Sequence, residues 1–314
     1  MRAAAVVTAI ALAFVACKKS PPASSGTGTA GAADPWAGSA GSAAPAPSAI
    51  DKPFLYAVTH PQSPGVTSYL LGTMHIGVDA ERQLPPWVWA RLDGAKAFAM
   101  EADVSNPALM TALQRTDGST LQAELGPDHW TKLKAVIGDR LAEGMNGMKP
   151  FAAMTVLATK DLPLTPPMDQ VMHAKAKDAG KEIVFLESAL RQLEIIDPFM
   201  TAADVKAYLD NLDYAKGQSQ TMIEAYRSGD EAALRRMFED QTLWKAAGRD
   251  PATYQAYLDA ILGQRNAAWI EPIEKLHAGG GGFIAVGAGH LVGPRSVVEL
   301  LTQKGYAVSR VTGP

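Results

Sequence analysis

A chain of 314 residues, 47% of them apolar, can bury one large core or two modest ones, which excludes a fibrous or wholly disordered protein. Its formal charge of -3, with Lys and Arg scattered among acids, supplies no basic field for a phosphate backbone, so nucleic acid is excluded as a partner. The single cysteine, Cys17, rules out a disulfide within the chain and a cysteine nucleophile in a domain that begins after it.

Residues 1–17 read as a secretory signal: Arg2 gives a positive start, Ala3 to Val15 form an apolar stretch too short to span a bilayer, and Ala16 precedes Cys17. Phe14-Val15-Ala16-Cys17 resembles a bacterial lipobox, in which the cysteine carries lipid and becomes the new N-terminus. That makes Cys17 the lipid attachment site. It predicts an exported protein held on a bacterial membrane, and Lys18 after the cysteine resembles outer-membrane sorting, with the domain facing the periplasm. The alternative is a plain secretory peptide with an incidental cysteine.

Residues 18–50 are mostly Ala, Gly, Ser, Thr and Pro, too poor in apolar side chains to order themselves, and read as a flexible linker. The string Gly26-Thr27-Gly28-Thr29-Ala30-Gly31 matches a dinucleotide fingerprint, yet no strand precedes it and no helix pattern follows, so it carries no weight.

A single domain is expected over 51–314. Phe54 to Val58 and Thr67 to Gly72 read as a hairpin around a Pro61 to Gly65 turn. Pro85-Pro86 opens a short helix through Leu92 carrying Trp87 and Trp89, of which one is expected in the core, and Ala97 to Asp103 reads as a strand ending in acids. Helical patterns follow over 107–115, 127–137, 150–160 and 168–179. Lys181 to Glu187 reads as a strand, and Ser188 as the cap of a helix through Ile196. Between Thr201 and Trp244, Met222, Leu234, Met237 and Phe238 have the spacing of core positions on helices interrupted at Gly217 and Gly229. One long helix is predicted from Pro251 to His277, stopped by the glycines at 279–282. A strand at 283–287, a helix at 296–304 and a strand at 306–311 close the chain as a βαβ-like unit. The fold class is therefore α/β, a mixed central sheet surrounded by many helices.

Two of these strands end alike, in Gly72-Thr73-Met74-His75 and Gly287-Ala288-Gly289-His290, and the strand at 97 ends in Glu101. Side chains mounted where a strand gives way to a loop are rigidly held and open to a ligand. Two imidazoles and one carboxylate are also a common ligand set for a hydrolytic metal ion. Gly72 and Gly287 are read as site-shaping, allowing a tight backbone path or close approach. Taken alone, each Gly-x-x-His is short and common.

The stretches Tyr69 to Gly77, Ala97 to Asp103 and Val286 to Gly293 resemble three signature blocks of the TraB/PrgY/GumN family, which includes the Tiki metalloproteases. Lys149-Pro150-Phe151, Asp169, Leu186-Glu187-Ser188, Gln192-Leu193 and Arg265-Asn266 follow the family in order, whereas Pro167-Met168-Asp169 departs from its usual Gly-Val-Asp. The resemblance implies a site in which His75, Glu101 and His290 hold a divalent ion, Mn2+ or Co2+, that activates water against a peptide or small-molecule substrate. Glu187 is either a second carboxylate at the site or a partner for Arg265. Arg265 either stabilises an oxyanion or makes a structural ion pair. Asp169 is read as a helix-face or N-terminal acid, and Asp103 as a loop acid. His60, His129, His173 and His277 are read as exposed or locally bonded. The expected activity is a metal-dependent hydrolase, foremost a peptidase. A cell-surface protein that binds a peptide or signal without cleaving it, and a hydrolase of non-peptide esters, are the alternatives.

Overall fold

The computed structural model describes residues 49–314. The leader, Cys17 and nearly all of the linker lie outside the described residues. Six strands, β1 (Leu55–Thr59), β2 (Ser68–Thr73), β3 (Ala97–Met100), β4 (Glu182–Phe185), β5 (Gly282–Gly287) and β6 (Ala307–Arg310), form one sheet in the order β4-β3-β5-β2-β1-β6. The predicted mixed sheet with surrounding helices in a single α/β domain is what is found.

β5 is buried along its whole length, as is β3. Continuous apolar runs are what a strand covered by helices on both faces requires. β4 and β6 keep exposed positions, as edge strands do. β1 and β2 pair antiparallel as the expected hairpin, with Leu55 opposite Leu71. β2 and β3 each run parallel to β5, and β4 parallel to β3. The carboxyl ends of β2, β3, β4 and β5 therefore share one edge of the sheet, where open α/β sheets bind their ligands. β6 pairs antiparallel with β1, so the closing unit reaches past β2 and β1 to the far edge.

Local signals set the helix ends. Ser188 accepts a hydrogen bond from the Arg191 N–H and caps the helix Ala189–Ile196. Gly229, at φ 68° in the left-handed region, ends the helix Leu212–Ser228. That helix runs unbroken through Gly217, against expectation, because one glycine costs only ~1 kcal/mol inside a helix otherwise held by packing. The helix expected from Pro127 begins at Leu121 and kinks at Gly126. Trp87 and Trp89 are both half-buried; Val88 and Leu92 provide the core face of their helix, Pro86–Gly94.

The predicted continuous helix over 251–277 is a succession: a 3-10 turn at Pro251–Thr253, an α-helix at Tyr254–Leu258, a π turn at Asp259–Gly263 and an α-helix at Gln264–Ala278. One extra residue in a turn rotates the face that follows by ~100°. Arg265 and Asn266, in the first turn of the helix that follows it, are both buried.

Candidate functional site

β2 ends at Thr73, and the loop beyond it is clamped to the start of the helix Met168–Asp178. The Met168 N–H donates to the Met74 carbonyl, and the Met74 N–H points at the Met168 sulfur 3.3 Å away. This clamp brings Asp169, in the first turn of that helix, 3.3 Å from His75 Nδ1 through Oδ2. Both side chains are buried. The contact is one of charge without hydrogen-bond alignment, and His75 Nε2 has no partner at all. Burial would lower the imidazole, but the Asp169 charge, aided by Glu101, outweighs it and raises His75 to about 9.

Glu101 is the first residue past β3. Its Oε1 accepts from the Gly287 N–H at 2.7 Å; its Oε2 accepts from Gln192 Nε2 at 3.0 Å and Arg265 Nη2 at 2.8 Å. Burial would raise this carboxyl, yet the facing His290, the Arg265 guanidinium, His75 and the Gly287 N–H hold it at about 2. It is a carboxylate at every physiological pH.

Arg265 is the hub, and every one of its five N–H groups has an acceptor. Nε and Nη2 both donate to Glu187 Oε1, Nη2 also to Glu101 Oε2, and Nη1 to the Ile261 carbonyl at 3.0 Å and to His290 Nε2 at 3.1 Å. The Trp269 ring lies 4.9 Å from the guanidinium carbon. Of the two roles read for Arg265, the ion pair is what the geometry supports, because no N–H is left for an oxyanion. Glu187 is its partner, with its carboxyl raised by burial against the pull of the guanidinium.

His290 lies behind this hub. Asn266 Nδ2 donates to the Arg295 carbonyl at 2.8 Å, so Asn266 Oδ1 is the acceptor for His290 Nδ1–H at 2.6 Å. The proton is thereby fixed on Nδ1, and the one lone pair of the ring, on Nε2, receives Arg265. Trp269 packs on the ring at 4.3 Å, and burial keeps it neutral, down at about 3.

The two Gly-x-x-His segments are thus presented differently: His75 in a loop, His290 in a helical turn over Gly289–Val292. Their glycines differ as well. A Cβ on Gly287 would stand 3.2 Å from Glu101 Oε1 and 3.5 Å from His75 Nε2, so this glycine does shape the site. A Cβ on Gly72 would stand 3.0 Å from Ala288 Cα and Phe54 Cβ, making it a packing position between strand and turn. Neither has positive φ.

The ion that the resemblance implies does not fit these donors. His290 has spent its lone pair on Arg265, Glu101 is ion-paired to the same guanidinium, and a second cation beside it would be repelled. Of the three implied ligands only His75 has ring nitrogens without a hydrogen-bond partner, and beside it Asp169 Oδ1 is likewise unpartnered. Among the described residues, no three His, Cys, Asp or Glu side chains are arranged to hold a metal.

Sequence reasoning placed His75, Glu101, His290, Glu187 and Arg265 together, and they do converge. It set Asp169 aside, although an acid in a first helical turn was itself a signal. It passed over Trp269, for which no local pattern gives a clue, and it read Met222, Leu234 and Phe238 as core alone, whereas they also line a cavity beside His75. Asp103 is a loop acid as expected, accepting from the Ser105 N–H and hydroxyl. His60 packs against Tyr306 with the rings tilted, His129 pairs with Asp210, and His173 lies between Phe98 and Phe185. His277 is neither exposed nor locally bonded: it is buried against Ser68 Oγ at 3.0 Å, a contact across 209 positions of chain that spacing could not convey.

An uncharacterized protein of Treponema pallidum (strain Nichols) is 21% identical over 266 residues, covering 77% of this chain and 79% of that protein. No solved structure matches. The model of the TraB/PrgY/gumN family matches residues 54–310, from the residue before β1 to the last residue of β6. The chain belongs to the TraB/PrgY/gumN family.

Proposed function

We propose that the chain is a hydrolase, foremost of peptide bonds, with His75 as the proton-handling residue. The observation that carries this is a buried histidine with one nitrogen against a carboxylate and the other without a partner on a cavity wall. In the reaction, His75 Nε2 takes a proton from water as its oxygen attacks the carbonyl, and returns it to the departing amine. Asp169 holds the ring and the charge it gains. The Thr73 hydroxyl, buried and unpartnered on the same cavity, donates to the oxygen of the tetrahedral intermediate. Glu101 faces His75 as a fixed carboxylate, and Arg265 keeps it in place. No step needs a bound metal. Export, lipid attachment at Cys17 and kinship with the Tiki proteases belong to the same proposal and rest on sequence alone. Intact-mass spectrometry of the mature protein checks the anchor: a diacylated Cys17 at the terminus supports it, and cleavage elsewhere removes it.

The apolar lining of the cavity favours a second reading, a protein that retains a peptide without cutting it. Incubating the mature protein with a peptide library, with and without manganese, separates them by mass spectrometry. Fragments from wild type and none from His75→Gln are expected; peptides retained intact favour the binding reading, and peptides neither cut nor retained sink both.

A further inference from the structure

The cavity beside His75 differs in chemistry from the charged cluster behind Gly287. Counting the solvent space at its mouth, it spans about 440 Å3 not filled by atoms, of which only a small part is enclosed. Met74 and Ile76 of the His75 loop, Met222, Leu234, Phe238 and Val292 form its walls. No charged side chain other than that of His75 lines it. Two of its lining residues carry buried polar atoms without partners, Thr73 Oγ1 and His75 Nε2.

We infer that this cavity receives an aliphatic side chain of a peptide, adjacent to the bond presented to His75. The inference rests on the hydrolase reading for the words about the bond, while the pocket itself needs no turnover. An apolar guest replaces water against apolar walls at a gain, whereas a charged guest would lose its hydration and find no counter-charge there. Two methionines, unbranched and polarisable, adapt to guests of differing shape, so the pocket accepts leucine, isoleucine and methionine alike. Phe238 and Val292, both on its lining, disfavour fused rings. Leu234 is the specificity-determining residue, because it comes from the helix Glu231–Met237, which faces the Gly289–Val292 turn and presents no group to the charged cluster.

The test uses the full chain labelled with 13C at its methionine methyls, with Met74 and Met222 assigned through Met74→Leu and Met222→Leu. N-acetyl-leucinamide is expected to shift both methyls saturably, at least tenfold more tightly than the N-acetyl amide of aspartate. Leu234→Trp is expected to weaken that binding at least tenfold while the remaining methyl signals keep their positions. Equal binding of the two amides, or binding that survives Leu234→Trp, overturns the inference. If Leu234→Trp fails to fold, Leu234→Ala replaces it: the enlarged pocket should move preference towards N-acetyl-phenylalaninamide, and an unchanged preference overturns the inference. Leucinamide bound by a protein that cuts no peptide would sink the hydrolase reading and leave the pocket standing; peptides cut without aliphatic preference would do the reverse.

Discussion

The two halves of the site carry the same four-residue pattern and opposite chemistry. His290 has both nitrogens engaged, a tryptophan on its face and no exposure. His75 has one nitrogen against Asp169 and the other free on a cavity wall. A motif delivers a ring to a place; what the ring does there depends on how many of its lone pairs and protons the surroundings have already taken. On this view His290 is part of the scaffold and His75 is the reactive member.

The largest effect expected strikes the scaffold. Arg265→Ala leaves Glu101 and Glu187 buried without their counter-charge, a change that costs about 3–5 kcal/mol and lowers the melting temperature by on the order of 10 °C. A variant that melts with wild type would show that the hub is not structural. Next, the same substitution at the two histidines should divide them. His290→Gln is expected to cost about 2–3 kcal/mol through the Arg265 donor and the Asn266 acceptor left unpaired. His75→Gln should melt closer to wild type yet lose at least ~100-fold in peptide hydrolysis. Equal melting losses would erase the comparison.

Asp169→Asn keeps shape and removes charge. Peptide hydrolysis should fall by about 10-fold or more, and the limb that rises with pH towards about 9 in the wild type should move to lower pH. Stability should follow with a definite sign. A histidine raised from 6.5 to about 9 in the folded state stabilises fully below the lower value and loses that contribution as pH climbs through the higher one. The melting difference between wild type and Asp169→Asn should therefore shrink from about pH 6 to about pH 10. A constant gap would assign Asp169 a role in packing alone. The smallest effect expected is from metal: excess manganese or chelator should move the melting temperature by less than ~1 °C. Stoichiometric manganese lost in His75→Gln would overturn the reading of the donor set.

Much of this was legible in the sequence wherever a local rule decides. The buried runs at 54–58, 97–100 and 283–287 gave their strands, Ser188 its cap and Gly229 its stop. Pro150 and Met168 opened helices where the pattern placed them. Glu101 and the two histidines could be gathered because each stands where a strand ends. What spacing could not convey is which nitrogen is free, since that depends on Asn266 and Arg265 arriving from one helix and Asp169 from another. The π turn was invisible because its residues, Asp259 to Gly263, are ordinary helix formers apart from the glycine. The cavity wall was read as core because a residue lining a small apolar cavity has the same periodicity as one packed against a neighbour.

The hub also bears on how the chain must fold. Arg265 meets a carboxylate 164 positions away, and Glu101 meets an amide 186 positions away. Such contacts close late, after the entropy of long loops has been overcome. Until the last parallel strand docks, Glu101 lacks the Gly287 amide and His75 lacks the turn that walls its cavity. A nascent or clipped chain is accordingly without a working site, and any hydrolytic power would switch on only with completion of the sheet.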